Sequence, residues 1–258
     1  YFVFEVFMPA LRPISGNHFV YQLLHGHRNF SGIALEESFN LDAHPQSQDI
    51  KRYCRSSFIG GSSLILDYST LHGFQASRLW LPWASAIGTD FTGAHIVHSN
   101  LKGLCSPGAI LNQTVMNNSI LTYAKFWITG WGQSIPVDTN HEESPTKIEH
   151  SSFQGADLRD ARLNYALITD SVFDTAVLDM TLFDYATIRR TSFTDAYGKG
   201  ATFHYAHLQD ITGWDSLQYL SGTMFKETTM SPKDRGELAR LRESRHLGDL
   251  SDRIRVQE

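Results

Sequence analysis

The chain has 258 residues, 41% of them hydrophobic, with 22 Lys and Arg against 27 Asp and Glu for a formal charge of −5. This mild acidity, without a basic stripe, argues against the phosphate backbone of a nucleic acid as a direct partner. Two cysteines, Cys54 and Cys105, are too few for a disulfide framework or a zinc knuckle, and no apolar run reaches the roughly 18 residues of a membrane span.

The first segment, 1–57, is rich in aromatic residues and histidine, and Pro9, Pro13, Gly16, Gly26 and Gly32 interrupt any period. It is expected to form an irregular cap or subdomain. The sequence opens on Tyr1, so an upstream targeting segment is left open; a cytoplasmic location is expected, with a secreted effector as the alternative.

From 58 to 131 a five-residue period emerges. Small residues at Thr89, Ala94, Ser99, Ala109, Thr114, Ser119, Ala124 and Thr129 are each followed two positions later by an apolar one, from Phe91 to Trp131. Weaker traces reach back to Ser69 and Leu71. The period fails at 104–108, where Cys105, Pro107 and Gly108 predict a bulge or a loosened corner. Residues 132–150 contain Pro136, Pro145 and a polar run from Asp138 to Ser144, which predicts an inserted surface loop replacing or decorating about one coil.

The period returns in a shifted register over 151–213. Small residues recur at Ser151, Ala156, Ala161, Ala166, Ser171 and onward to Ala206, with Phe153, Leu158, Leu163, Ile168, Phe173 and onward to Leu208 as partners, interrupted only by Gly198. A period of five fits neither a helix nor a strand, so each pentad must turn a corner and return its next pair to the interior. Such segments bury their apolar faces only by stacking.

Here the residues resemble the pentapeptide-repeat family, whose motif Ala-(Asp/Asn)-Leu-x-x is matched in full by Ala156-Asp157-Leu158. The resemblance implies an all-β fold, a right-handed quadrilateral parallel β-helix with four pentads per coil. Residues twenty apart then stack at about 4.8 Å. Phe153, Phe173 and Phe193 form an inward ladder under that rule, and Tyr165, Tyr185 and Tyr205 an outward one. Two charged ladders, Arg159/Asp179/Lys199 and Asp170/Arg190/Asp210, alternate in sign as attraction between neighbours requires.

The last segment, 214–258, leaves the repeat. Ser231-Pro232 starts a helix predicted over about 232–247, and Leu238, Leu241, Leu247, Leu250 and Ile254 give the segment a narrow apolar stripe. The helix is expected to cap the last coil, with homodimer formation as its alternative use.

Chemical motifs are weak. His141-Glu142-Glu143 lacks a second zinc-binding histidine, and the pairs His95/His98 and His204/His207 read as outward side chains, so neither metal nor cofactor is expected. The sequons at Asn29, Asn112 and Asn117 are close to chance number. Stacking places Asn164, Asp184 and His204 beside the tyrosine ladder, so an enzyme reading uses His204 as base, Asp184 to orient it and Tyr205 as acid.

Three function classes follow. The first is a non-catalytic protein-interaction scaffold, such as a bacterial effector or regulator, using Tyr165, Tyr185, Tyr205, Asp170, Arg190 and Asp210 as its surface. The second comes from the resemblance, because some pentapeptide-repeat proteins mimic DNA, bind gyrase or other type II topoisomerases and protect them from inhibitors. The third is an acid–base isomerase or cyclase whose site is roofed by 1–57 or 132–150.

Overall fold

In the computed structural model, which describes residues 10–57, 63–126, 145–216, 225, 227–245 and 254–256, the pentads wind into a parallel β-helix with four pentads to the coil. Ile65, Ser85, Cys105 and Lys125 pair in register on the first side, and Thr70, Asp90 and Ile110 on the second. His95 pairs with Val115 on the third side, and Trp80, Asn100 and Ile120 pair on the fourth. The twenty-residue spacing of the ladders is therefore the spacing of the fold.

Each pentad folds this way because its two inward positions are apolar or small and its last residue turns the corner. From Gly155 to Asp210 every fifth residue has positive φ, including Thr175 at 56° and Tyr185 at 60°. That left-handed conformation costs a non-glycine residue about 1 kcal/mol or more, so buried contacts must hold it. They are dense: Phe153, Phe173 and Phe193 stack with centroids 5.0 and 5.4 Å apart, and Phe183, Phe203 and Phe225 form a second stack at 4.9 and 5.2 Å. Serine and threonine replace alanine at the small position because their hydroxyls find a carbonyl in the preceding coil. Thr89 Oγ1 donates to Leu66 O at 2.7 Å, and Thr181 Oγ1 to Leu158 O at 2.8 Å.

The second side forms the longest sheet, in which β5 (Lys147–Glu149), β6 (Leu167–Thr169), β7 (Thr187–Arg189), β8 (His207–Gln209), β9 (Thr228–Met230) and β10 (Ile254–Val256) pair in parallel. The third side carries the pair β3 (Gln75–Ser77) and β4 (His95–Val97).

Both terminal segments belong to the β-helix more than their sequences suggested. Strand β1 (Arg12–Ile14) pairs in parallel with β2 (Ile33–Leu35), and Ala34 continues the ladder to Thr70, so residues inside 1–57 already form coils. Helices α1 (Gly16–Leu24) and α2 (Ser47–Ser57) occupy the intervals where sides would run, and Phe19, Leu23, Ile50 and Cys54 are buried. At the other end the coil continues past Thr212 through buried Trp214, Phe225, Thr228 and Met230. Helix α3 (Pro232–Arg245) follows β9 and buries Leu238 against the core, with Leu241 partly buried beside it. Leu247 and Leu250 of the expected stripe lie outside the described residues.

The central insertion is shorter than expected and displaces no coil. Ile110 pairs with Lys147, Val115 with Ser152, Ile120 with Asp157 and Lys125 with Arg162, each 37 residues apart instead of 20, so 17 residues are extra. The inward pair after Ala124 and Phe126 is Thr146 and Ile148, both buried, in place of the expected Thr129 and Trp131. Residues 145–150 are thus part of a coil, while Thr129, Trp131 and the polar run 138–144 lie outside the described residues.

No bulge occurs at 104–108. Leu104 and Ser106 are both buried inward, Cys105 keeps its place between Ser85 and Lys125, and Gly88 N–H donates to Pro107 O at 2.9 Å. Proline is tolerated because coil pairing does not use the N–H of the fourth pentad residue. Where that N–H exists, a side chain can accept it, either from the preceding coil, as Asp67 accepts Ile87 N–H at 2.9 Å, or from its own pentad, as Asp90 accepts Thr92 N–H at 2.9 Å.

Candidate interaction surface

The six residues expected to form a surface border one side of the β-helix. Tyr165, Tyr185 and Tyr205 occupy the corner between the first and second sides. Asp170, Arg190 and Asp210 occupy the next corner, and β6, β7 and β8 run between the two edges. The outward residues of that face are Leu167, Thr187 and His207, then Thr169, Arg189 and Gln209.

The tyrosine edge is a true stack. Tyr165 and Tyr185 lie 4.8 Å apart and 3° from parallel, and Tyr185 and Tyr205 4.9 Å apart at 10°. All three are 36–45% exposed, so each ring has one edge in solvent and a face fixed by its neighbour. Such pairs contribute about 0.5–1.5 kcal/mol each and order the rings before any partner arrives. Tyr68 occupies the same edge nearer the N-terminus, where its ring lies over Gly88. The insertion shifts its number out of the twenty-residue series, which hides it in the sequence.

On the charged edge Arg190 grips Asp170 with two bonds, Nε to Oδ1 and Nη2 to Oδ2, both 2.6 Å. The Arg190 guanidinium holds the Asp170 carboxyl below the usual carboxylate range. The other charged ladder works differently. Arg159 folds back on Asp157 of its own pentad at 2.9 and 2.6 Å, and Asp179 accepts the backbone N–H of Lys199 at 2.9 Å.

Asp184 does the same for His204, its Oδ1 accepting the His204 backbone N–H at 2.9 Å. Asp67 with Ile87 and Asp174 with Thr194 repeat this stitch between coils. Asp184 therefore has a recurring structural task, while Tyr205 is occupied by stacking on Tyr185. The three residues named for acid–base chemistry are neighbours on an outward edge.

The N-terminal segment does enclose space, of another kind. Phe19 and Leu23 of α1, Ile50 and Cys54 of α2, Leu41 and the inward leucines from Leu64 to Leu104 line an apolar cavity of about 40 Å³. Burial pushes the Cys54 thiol up to about 12, so it is a neutral, unreactive wall. This void lies in the first block, apart from His204, Asp184 and Tyr205. No helix among the described residues is long and apolar enough to cross a membrane.

Five-residue inward pairs, four to a coil, define a pentapeptide-repeat β-helix. Solved structures similar to the chain include HetL, a pentapeptide repeat protein involved in heterocyst differentiation regulation from the cyanobacterium Nostoc, at 17% identity over 84% of each chain with a TM-score of 0.46. Trypsin-treated QnrB1, a plasmid-mediated fluoroquinolone resistance protein, is similar at 17% identity over 76% of this chain and 91% of its own, with a TM-score of 0.37. Rfr23, a pentapeptide repeat protein of the cyanobacterium Cyanothece, has 14% identity over 49% of this chain and 86% of its own, with a TM-score of 0.24. No protein-family model and no curated protein matches the chain.

Proposed function

We propose that this protein is a non-catalytic interaction scaffold that presents the second side of its β-helix to a protein partner. The observation that carries this reading is the ordered tyrosine edge, with rings 4.8 and 4.9 Å apart and their outer edges exposed, facing a charged edge across one flat sheet. Tyrosine and arginine are the residue types that dominate protein contacts, and fixed rings lose little entropy on binding. Affinity capture with the wild type and with Tyr165, Tyr185 and Tyr205 changed together to alanine tests it. Loss of the captured protein with unchanged thermal unfolding is expected; an unchanged capture rejects this surface.

The alternative of topoisomerase protection draws on the description of QnrB1 as a fluoroquinolone resistance protein. It is the weaker reading, because Arg190 sits between Asp170 and Asp210 and breaks the acidic stripe that imitation of DNA requires. A gyrase supercoiling assay with a fluoroquinolone decides it, and no effect at micromolar protein removes it. Homodimer formation through α3 is less supported than capping, since Leu238 of that helix is already buried. An isomerase or cyclase reading gains nothing from Asp184, whose carboxylate accepts a backbone amide N–H.

A further inference from the structure

Among the described residues, half of the twelve large exposed apolar side chains fall on the fourth side of the β-helix, away from the tyrosine and charged edges. They are Trp80 (37% exposed), Trp83 (51%), Ile120 (40%), Tyr123 (48%), Met180 (56%) and Tyr197 (37%). Scattered singly they would need no account, but here they share one face, falling in four of its six successive coils. The Trp83 ring is laid flat, because a Cβ on Gly103 would come within 2.0 Å of it. Lys102 holds its ammonium 5.4 Å from the centre of the Tyr123 ring. These side chains are therefore ordered.

Charge divides this face into two equal halves. Taken with both corners, segments 78–83, 98–103 and 118–123 carry two cations, Arg78 and Lys102, and no carboxylate. Segments 155–160, 175–180 and 195–200 carry four carboxylates, Asp157, Asp160, Asp179 and Asp195, against Arg159 and Lys199. One half is therefore positive by two and the other negative by two.

We propose that the fourth side is a self-complementary interface on which a second copy of this chain docks antiparallel. A two-fold axis lying in the contact plane and across the β-helix axis keeps each outward column opposite itself and reverses the order of coils. The coil of Arg78 then meets the coil of Asp195, in the same column, and the coil of Lys102 meets that of Asp179, again in the same column. Both cations thus face a carboxylate, twice over by symmetry. The same operation sets Trp80 against Tyr197 and brings Trp83 to the corner where the Met180 side chain lies over Gly200, ring against thioether. A parallel arrangement, with the axis along the β-helix, would set each coil against itself with its columns reversed, so Arg78 and Lys102 would face the other copy's cationic half and neither would meet a carboxylate.

The size is sufficient for a small specific contact. Six coils at about 4.8 Å and sides five residues wide give roughly 30 by 16 Å, near 1,000 Å² of projected surface over two copies. Apolar rings supply the burial, and the charge pattern fixes direction and excludes the parallel register.

Sedimentation equilibrium tests this with two charge-reversed proteins, R78D/K102D and D179K/D195K. The wild type is expected to dimerise, each variant alone to dimerise roughly tenfold more weakly or not at all, and an equimolar mixture of the two to regain the dimer. Met180→Glu at its exposed corner provides a second disruption that leaves every coil stitch in place, and thermal unfolding checks the fold of all three. A wild type monomeric at 100 μM overturns the proposal. So does a dimer indifferent to these changes, as α3 contacts would give, or a mixture that stays monomeric.

Discussion

The indole N–H of Trp214 donates to the carboxylate of Asp234 at 3.3 Å, tying a buried aromatic at the end of the β-helix to the first turn of α3. The same buried carboxylate accepts the backbone N–H groups of Asp210 and Ile211, both at 2.8 Å, and the Ser231 hydroxyl at 2.5 Å. One side chain thus satisfies two backbone donors of the coil and anchors the helix start. Asp234→Ala leaves those donors buried and unpaired, and is expected to lower stability by about 3 kcal/mol. Hydrogen exchange at Asp210 and Ile211 reads the effect directly; protection equal to the wild type would show that α3 docks without this carboxylate.

Two glycines separate crowding from backbone strain. Gly213 has φ of +87°, and a Cβ there would lie 2.4 Å from Thr194 N, in backbone that has no room to give. Gly32 has φ of +66° with nothing within 4 Å of such a Cβ. Gly32→Ala is expected to cost about 1 kcal/mol, the left-handed penalty alone, and Gly213→Ala about 2 kcal/mol more. Equal denaturant midpoints for the two variants would refute the distinction.

How legible all this was depends on whether a feature repeats locally. The Phe153–Phe173–Phe193 and Tyr165–Tyr185–Tyr205 stacks follow directly from the twenty-residue spacing, because identical side chains at equal positions have one way to stack. The end of the insertion was illegible because Thr129/Trp131 and Thr146/Ile148 satisfy the small–apolar rule equally well, and only the Ile110–Lys147 pairing chooses between them. The N-terminal coil was hidden because α1 and α2 interrupt it and its inward residues Phe30, Ile33 and Leu35 do not follow the pentad. Charge partners were legible only in part: Arg190 reaches across a coil to Asp170, whereas Arg159 finds Asp157 two residues away, a contact a vertical ladder does not consider.

Phe173 should be among the most sensitive positions in the second block. It stacks on Phe153 and Phe193 and meets Phe183 edge-on at 6.4 Å, all within a closed interior. Truncation to alanine opens a void that neighbours on fixed coils cannot fill, and a loss of about 4 kcal/mol is expected. Phe173→Leu should recover more than half of it. Chemical denaturation of both variants checks the pair, and a loss below about 1 kcal/mol for alanine would mean that the coils collapse around the gap.

Asp184 distinguishes a stitch from a catalyst. If its task is to accept the His204 N–H, Asp184→Asn retains an oxygen at the same place and should unfold like the wild type, while Asp184→Ala loses about 1 kcal/mol. A general-base role for His204 would instead require the charge and make asparagine as damaging as alanine to any turnover. Thermal unfolding of the two variants tests the stitch, and an asparagine variant as destabilised as the alanine one would refute it.

The Asp170–Arg190 pair sets an acid-sensitive contribution whose sign is fixed by the direction of the shift. Arg190 holds the Asp170 carboxyl below the ordinary carboxylate value of about 3.9, so the folded state favours the ionised form more than the unfolded chain does. The contribution is complete above that value and disappears as pH falls through the lower folded one. Both side chains reach solvent, so the effect is modest and screened by salt. Arg190→Gln removes it. The gap in unfolding temperature between wild type and this variant should be largest near neutral pH in low salt and shrink as pH falls below about 4. A gap that stayed constant over this range would show that Arg190 stabilises the edge by packing its alkyl chain on the neighbouring coil and not by its charge.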